Sequence, residues 1–403
     1  MSQETEKPHL EAVIRGNAEF TKNLYSILAK NDGNIFFSPI SIHAILALAA
    51  QGSGTTTREA LCKALNVPDI KAAAEGYKDI MSRLNSVKDV TLHMANKVYM
   101  KQSYNLQESF KGIVTSHFSS EVQQLDFAQQ AAAAKTINTW VEEKTKDKIK
   151  DLIKASDLDP LTRLVLVNAI YFKGTWAEKF DAANTKTEKF YKNETETVDV
   201  QMMHLTKKFY FKNDETLNAK VLELQYTNKD LSMIIILPNE RNGIADLEAK
   251  LANTDLSRIT ENMYRPEVIV ALPKFKIEQT IELNDPLKEL GLGIMFDEDK
   301  ADFKSMLDSP EQLYVSKVVQ KAFIEVNEEG AEAAAATEVR MVMKRSIGYV
   351  QREEFLATHP FLVLLAGKGN ITIQDVRTKE CRSILFYGKV ESPLYPRIEH
   401  DEL

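Results

Sequence analysis

The chain has 403 residues, 44% hydrophobic and 27% charged, with a net charge of −7. That composition supplies a sizeable core, and the acidic balance gives no overall footprint for nucleic acid. No stretch of about 18 apolar residues is present, so no membrane-spanning helix and no membrane partner are expected.

In chain order, the first third reads mainly helical. "LEAVIRGNAEFTKNLYSILAK" (Leu10 to Lys30) gathers its apolar residues on one helix face. "SPISIHAILALAAQ" opens with Ser38 as N-cap and Pro39 in the first turn, and "TTTREALCKALN" and "EGYKDIMSRLNSV" follow as short helices. "KTKDKIKDLIK" (Lys144 to Lys154) alternates cations with acids and predicts a solvated helix face. Strand signals begin with "VTLHMANKVYM" (Val90 to Met100) and "RLVLVNAIYFKGTW" (Arg163 to Trp176). They continue through "KVLELQY", "SMIIILP", "EVIVALPKFKIEQTIEL", "YVSKVVQKAFIEV", "FLVLLAGKGNITIQDV" and "SILFYGKV". Helices first and strands later predict an α+β fold. No linker or repeat interrupts it, so one large domain over residues 1–403 is as well supported as two.

Catalytic motifs are missing. There is no GxSxG elbow, no P-loop and no GxGxxG, and the histidines show no metal spacing. His43, inside an apolar helix, reads as a satisfied core residue. Cys62 and Cys381 are the only cysteines, which excludes a disulfide scaffold and a CxxC zinc site. One bridge between them is allowed; two buried free thiols is the simpler expectation. The chain ends in "HDEL" (His400 to Leu403), a retrieval signal for the endoplasmic reticulum, which implies a signal peptide ahead of Met1. The sequons at Asn193 and Asn370 are then glycosylation candidates.

"NEEGAEAAAATEVRMVMKRSIGYV" (Asn327 to Val350) is the least ordinary stretch. Four alanines suggest helix, yet no apolar stripe of helical period accompanies them. Counting by twos, Ala331, Ala333, Ala335, Thr337, Val339, Met341 and Met343 form one face. The other face takes every charge: Glu332, Ala334, Ala336, Glu338, Arg340 and Val342. That is a strand with one buried side, in a segment otherwise exposed like a loop.

Taken with these motifs, the chain resembles a serpin over nearly its whole length. "NEEGAEAAAAT" resembles the hinge of an inhibitory reactive-centre loop, and "NIFFSPISIHAILALAAQGSGTTTREAL" the second helix with its shutter serines. "LVNAIYFKGTWAEKFD" is similar to the strand running from shutter to breach, while "HPFLVLL" and "ILFYGKVESP" match the C-terminal signature. The resemblance implies a serpin fold with three β-sheets, about nine helices and an exposed reactive-centre loop at about 328–355. It implies a hinge of Glu328, Glu329, Gly330, Ala331, Glu332, Ala333, Ala334, Ala335, Ala336 and Thr337. It places Ser38, Ser41, Asn168, Trp176 and Gln320 in the shutter and breach. Gln320 stands where the family often has His, and is expected to bond Ser41 and Asn168 without a titratable group. Ala331 replaces the usual Thr or Ser at the first inserting position.

The function so implied is a suicide inhibitor, not an enzyme. Sixteen positions from Glu328, the reactive bond falls at Lys344–Arg345, or at Arg345–Ser346 if the loop is one residue longer. Trypsin-like proteases are the first expected targets and dibasic proprotein convertases the second, held as covalent acyl complexes by a monomer. The alternative is a non-inhibitory serpin of the endoplasmic-reticulum chaperone type, which "HDEL" also fits. No cofactor is expected beyond a weak glycosaminoglycan site near Lys78, Arg83 and Lys88.

Overall fold

A computed structural model describes residues 8–308, 311–331, 352–367, 372–375 and 379–395. Among them are eight α-helices, where about nine are expected: α1 (Pro8–Leu28), α2 (Pro39–Gln51), α3 (Thr55–Ala64), α4 (Ile70–Ser86), α5 (Glu108–Phe118), α6 (Gln130–Lys144), α7 (Ile244–Leu251) and α8 (Asn284–Leu287). The strands begin with β1 (Ile35–Phe37), β2 (Val90–Lys101), β3 (Glu121–Leu125), β4 (Leu164–Thr175), β5 (Lys186–Tyr191) and β6 (Thr197–Lys208). They continue with β7 (Tyr210–Asp214), β8 (Ala219–Gln225), β9 (Leu231–Pro238), β10 (Glu267–Pro273), β11 (Phe275–Glu282) and β12 (Val315–Val326). The last are β13 (Gly330–Ala331), β14 (Glu353–Leu356), β15 (Phe361–Gly367), β16 (Thr372–Asp375), β17 (Lys379–Arg382) and β18 (Ile384–Val390).

Three sheets organise the molecule, with β16 and β17 as a separate ribbon. One runs β1-β18-β15-β9-β8-β7 and a second β14-β10-β6-β5. The third runs β11-β12-β4-β2-β3, with the short β13 added on β4. Its period-2 alternation serves two cores. Leu164, Leu166, Ile170, Val98, Met100, Val318 and Ala322 face the main core. Val165, Val167, Tyr171, Val319 and Phe323 face a smaller one under α6. Helix α2 is buried over almost its whole circumference, as its apolar sequence requires.

Two expectations are corrected. Only Lys144 of the "KTKDKIKDLIK" stretch is helical. Lys146, Asp147 and Asp151 adopt positive φ, which ends the helix, and Ile149, Leu152 and Ile153 are drawn into the smaller core. The alternating charges flank buried apolar residues instead of lining a solvated face. Cys62 is a free thiol, but half-buried on α3 rather than buried. Burial pushes the thiol above its ordinary range.

Candidate functional site

Strand register brings three amides into one row. Asn168 on β4 stands opposite Asn96 on β2 and Gln320 on β12. All three occupy positions whose neighbours two residues away face the main core, so a polar row crosses an apolar surface. The row is closed by pairing. Gln320 Nε2 donates to the Ser38 carbonyl at 3.0 Å and to Asn168 Oδ1. Gln320 Oε1 accepts the Ser38 N–H at 2.8 Å. Asn168 Nδ2 donates to Ser41 Oγ and Asn96 Oδ1, and Ser41 Oγ donates to Asn96 Oδ1 at 3.1 Å. Both donors and the acceptor of Gln320 are therefore used, as a fully buried amide demands.

The expected Gln320–Ser41 bond is replaced by a relay through Asn168, because α2 presents the Ser38 backbone to Gln320 and Ser41 to the next strand. Ser38 makes no side-chain cap bond; its Oγ donates to the Leu385 carbonyl at 2.6 Å. Asn96 was not singled out from the sequence. Its signal was present, since it shares parity with the apolar Met94, Val98 and Met100.

At the far end of the same sheet, β12 and β4 part company. Their pairing runs from Val315 with Leu164 to Phe323 with Tyr171. Beyond it the chain turns at Asn327–Gly330, closed by Asn327 N–H to Gly330 O at 2.9 Å and Gly330 N–H to Asn327 O at 3.2 Å. Gly330 and Ala331 then pair with Thr175 and Gly174 on β4. Of the expected hinge, Glu328 and Glu329 lie in the turn and Gly330 and Ala331 lie in the sheet. Gly330 is required there: its φ is +132°, and a Cβ would sit 2.2 Å from the Gly174 carbonyl.

The turn is held from several sides. Trp176, buried and stacked on Tyr226 at 4.6 Å, donates from Nε1 to the Asn327 carbonyl at 3.0 Å. The Trp176 and Phe180 amides donate to the carbonyls of Glu329 and Glu328 at 2.9 and 3.0 Å. Glu328 pairs with Lys274 at 2.9 Å and accepts from Thr185 Oγ1 at 2.8 Å, while Glu329 pairs with Lys179. Burial pushes the Glu328 carboxyl upward, but the bonds from Lys274, its own backbone and Thr185 hold it below the usual range.

The loop's other described end is fixed too. β14 pairs in parallel with β10, Arg352 bonds Glu267 at 2.7 Å, and Lys220 donates to the Glu354 carbonyl at 2.9 Å. Gly330 and Ala331 thus extend the sheet on β4 where β12 has left it, and β14 is secured on β10. The family profile described as "Serpin (serine protease inhibitor)" matches residues 15–393. The chain belongs to the serpin family.

Relatives of this serpin agree. Antichymotrypsin-2 of Bombyx mori is 39% identical over 357 residues, 88% of this chain and 94% of the relative. Leukocyte elastase inhibitor of Xenopus tropicalis is 37% identical, covering 95% of this chain and 100% of the relative. The crystal structure of Serpin48 from Tenebrio molitor superposes with a TM-score of 0.83 at 32% identity, covering 98% of this chain and 100% of that one. Membership in a family of protease inhibitors places the chain outside the enzymes.

Of the remaining expected residues, Glu332, Ala333, Ala334, Ala335, Ala336, Thr337, Lys344, Arg345 and Ser346 lie outside the described residues, as do Asn370 and the "HDEL" tail. Lys78 and Arg83 lie on α4 and Lys88 in the turn after it; Arg83 is half-buried. His43 is a core histidine, with Nε2 bonded to the Leu65 carbonyl at 2.9 Å and Nδ1 to the Tyr77 hydroxyl at 2.6 Å.

Proposed function

We propose that this serpin is a suicide-substrate inhibitor of serine proteases that cleave after Lys or Arg. The observation that carries the reading is the pairing of Gly330–Ala331 with β4 while β12 turns away. A protease serine Oγ attacks the Lys344 carbonyl, the C–N bond to Arg345 breaks, and the freed amine leaves with a proton. The acyl ester remains on Lys344. Cleavage unties the loop from its anchor on β14, and Glu332 to Met343 follow Ala331 down β4, displacing its pairing with β12.

The magnitudes favour insertion. A dozen new backbone bonds at roughly 1 kcal/mol net each give about 10 kcal/mol. Burial of Val339, Met341 and Met343 adds roughly 1.5–3 kcal/mol each as an upper estimate. The inward face carries no charge to oppose it. A protease dragged with the ester loses the geometry of its oxyanion hole, and deacylation stalls. The intact fold thus persists by kinetic stability.

Trypsin-like proteases rank first as targets. Dibasic convertases rank second, because Lys344-Arg345 suits them and "HDEL" would hold the inhibitor where they mature, although Val342 stands where a furin-like enzyme favours Arg. Secretory passage would also expose Asn193, at the surface of the β5–β6 turn, to glycosylation. The test is incubation with trypsin-like and dibasic-specific proteases, denaturing electrophoresis, and mass analysis of the released peptide. A denaturant-resistant complex is expected, with a peptide beginning at Arg345, or at Ser346 for the longer register. Clean turnover by every such protease sinks the reading.

A further inference from the structure

The hinge turn is also gripped from the C-terminal side. Residues Ser392 to Tyr395 pass the start of β11, where the Lys276 N–H donates to the Leu394 carbonyl at 2.9 Å. The next side chain, Tyr395, is half-buried and reaches two parts of the turn's support. Its hydroxyl donates to Glu325 Oε1 near the end of β12. Its ring lies under the Lys274 ammonium, with Nζ 4.6 Å from the centroid. The same Glu325 Oε1 accepts from Asn327 Nδ2, in the turn itself, at 3.4 Å. Lys274 in turn holds Glu328 at 2.9 Å. Burial and the bond to Glu325 push the phenol up to about 12, so it remains a neutral donor at neutral pH.

We propose that Tyr395 is a positioning residue of the hinge, which makes the C-terminal tail a determinant of whether a cleaved loop traps its protease or releases it. The inference rests on the inhibitory reading above. A lysine ammonium on a four-carbon stem is not fixed by a single carboxylate, and a second contact is needed to hold its rotamer. The aromatic face supplies that contact here. Without it Glu328 is held less firmly, the turn frays, and Gly330 loses its register against Thr175. Insertion starts from this turn and races hydrolysis of the acyl ester. A frayed pivot slows the first pairs and lets hydrolysis win, while attack on the loop, made far from the turn, is unchanged.

The test compares wild type with Tyr395→Ala, Tyr395→Phe and Lys274→Met, and with chains ending after Tyr395 or after Pro393. Each is measured against a protease that wild type traps. Expected for Tyr395→Ala, Lys274→Met and the chain ending after Pro393 is a several-fold rise in inhibitor consumed per protease trapped. The rate of loop attack should stay within twofold. Tyr395→Phe keeps the ring and should recover most of the trapping; the chain ending after Tyr395 should match wild type. Equal partition in Tyr395→Ala and wild type overturns the proposal, as does an equal defect in both shortened chains. Lys274→Met keeps the test alive if the Tyr395 variants fold poorly. If wild type traps no protease and gains no thermal stability on loop cleavage, the inhibitory reading fails and takes this proposal with it; the other failures overturn this proposal alone.

Discussion

Gln320 and Asn168 are joined by an amide hydrogen bond across β12 and β4, and the bond exists because no strand lies between them. A strand continuing from Ala331 down β4 must separate the two residues. Gln320→Ala leaves the Ser38 N–H and Asn168 Oδ1 unpaired in the core of the intact form, and the loss at Asn168 is confined to that form. That should cost about 2–6 kcal/mol, at roughly 1–3 kcal/mol for each orphaned group. Calorimetry should show a lower Tm for the intact variant and a wider gap between intact and loop-cleaved forms. An equal fall in both would mean that the bond outlives insertion.

Gly330→Ala tests the opened end of the sheet. The backbone there has a φ of +132°, and the added methyl meets the Gly174 carbonyl at 2.2 Å. The Gly330–Ala331 pairing should be lost. Amide exchange at Trp176, whose N–H donates to Glu329 O, should speed up in the folded protein, and protease trapping should fall. Unchanged exchange would show that the turn tolerates the side chain.

Alternation in the loop gives a paired experiment. Ala333→Arg puts a cation on the face that becomes buried and should turn the inhibitor into a substrate that is cut normally. Glu332→Arg, on the opposite face, should be far milder. Gel assays of complex against cleaved product decide; identical effects of the two changes would refute the period-2 assignment.

His43 gives a pH dependence with a definite sign. Burial lowers its pKa to about 4, with the Leu65 hydrogen bond opposing only in part. The unfolded chain takes up this proton near pH 6.5 and the folded chain does not, so stability falls as pH drops from about 6.5 towards 4. The loss reaches about 3 kcal/mol at the lower limit. His43→Gln should flatten that slope in thermal or denaturant unfolding at pH 4.5 and 7. Glu328 acts in the same direction at lower pH, since its depressed carboxyl stabilises the fold until it is protonated.

Local patterns made much of this molecule legible. The Leu10–Lys30 periodicity became α1, and the strand signals from Val90 and Arg163 became β2 and β4, because each faces a core with its own period. The motifs at Glu328 and Ser38 marked the two ends of the site. Strand register was not legible. Asn96, Asn168 and Gln320 are far apart in sequence and meet only through pairing, so Asn96 was missed and Gln320 was given the wrong direct partner. The 144–154 stretch failed for a related reason: its charges suggested solvent, while Ile149 and Ile153 answered to a core built by distant strands. Tyr395 carried no motif at all, and its position depends on where β11 begins.

The turn at Asn327–Gly330 also bears on the order in which the chain folds. Gln320 and Asn168 are 152 residues apart in sequence, so closing β12 onto β4 is a long-range event. A strand following that turn would be the immediate hairpin neighbour of β12 and could close far sooner. From Leu164 to Tyr171, β4 is nevertheless paired with the distant β12, and its described pairing with the nearer segment is confined to Gly330 and Ala331. Commitment of Glu353–Leu356 to β10 must therefore precede zipping of the hairpin, for once the far end is fixed the intervening chain cannot run down the sheet. The native form is then an outcome of sequence of events, and a refolding chain already cut between residues 331 and 353 should bypass it and go straight to the inserted state.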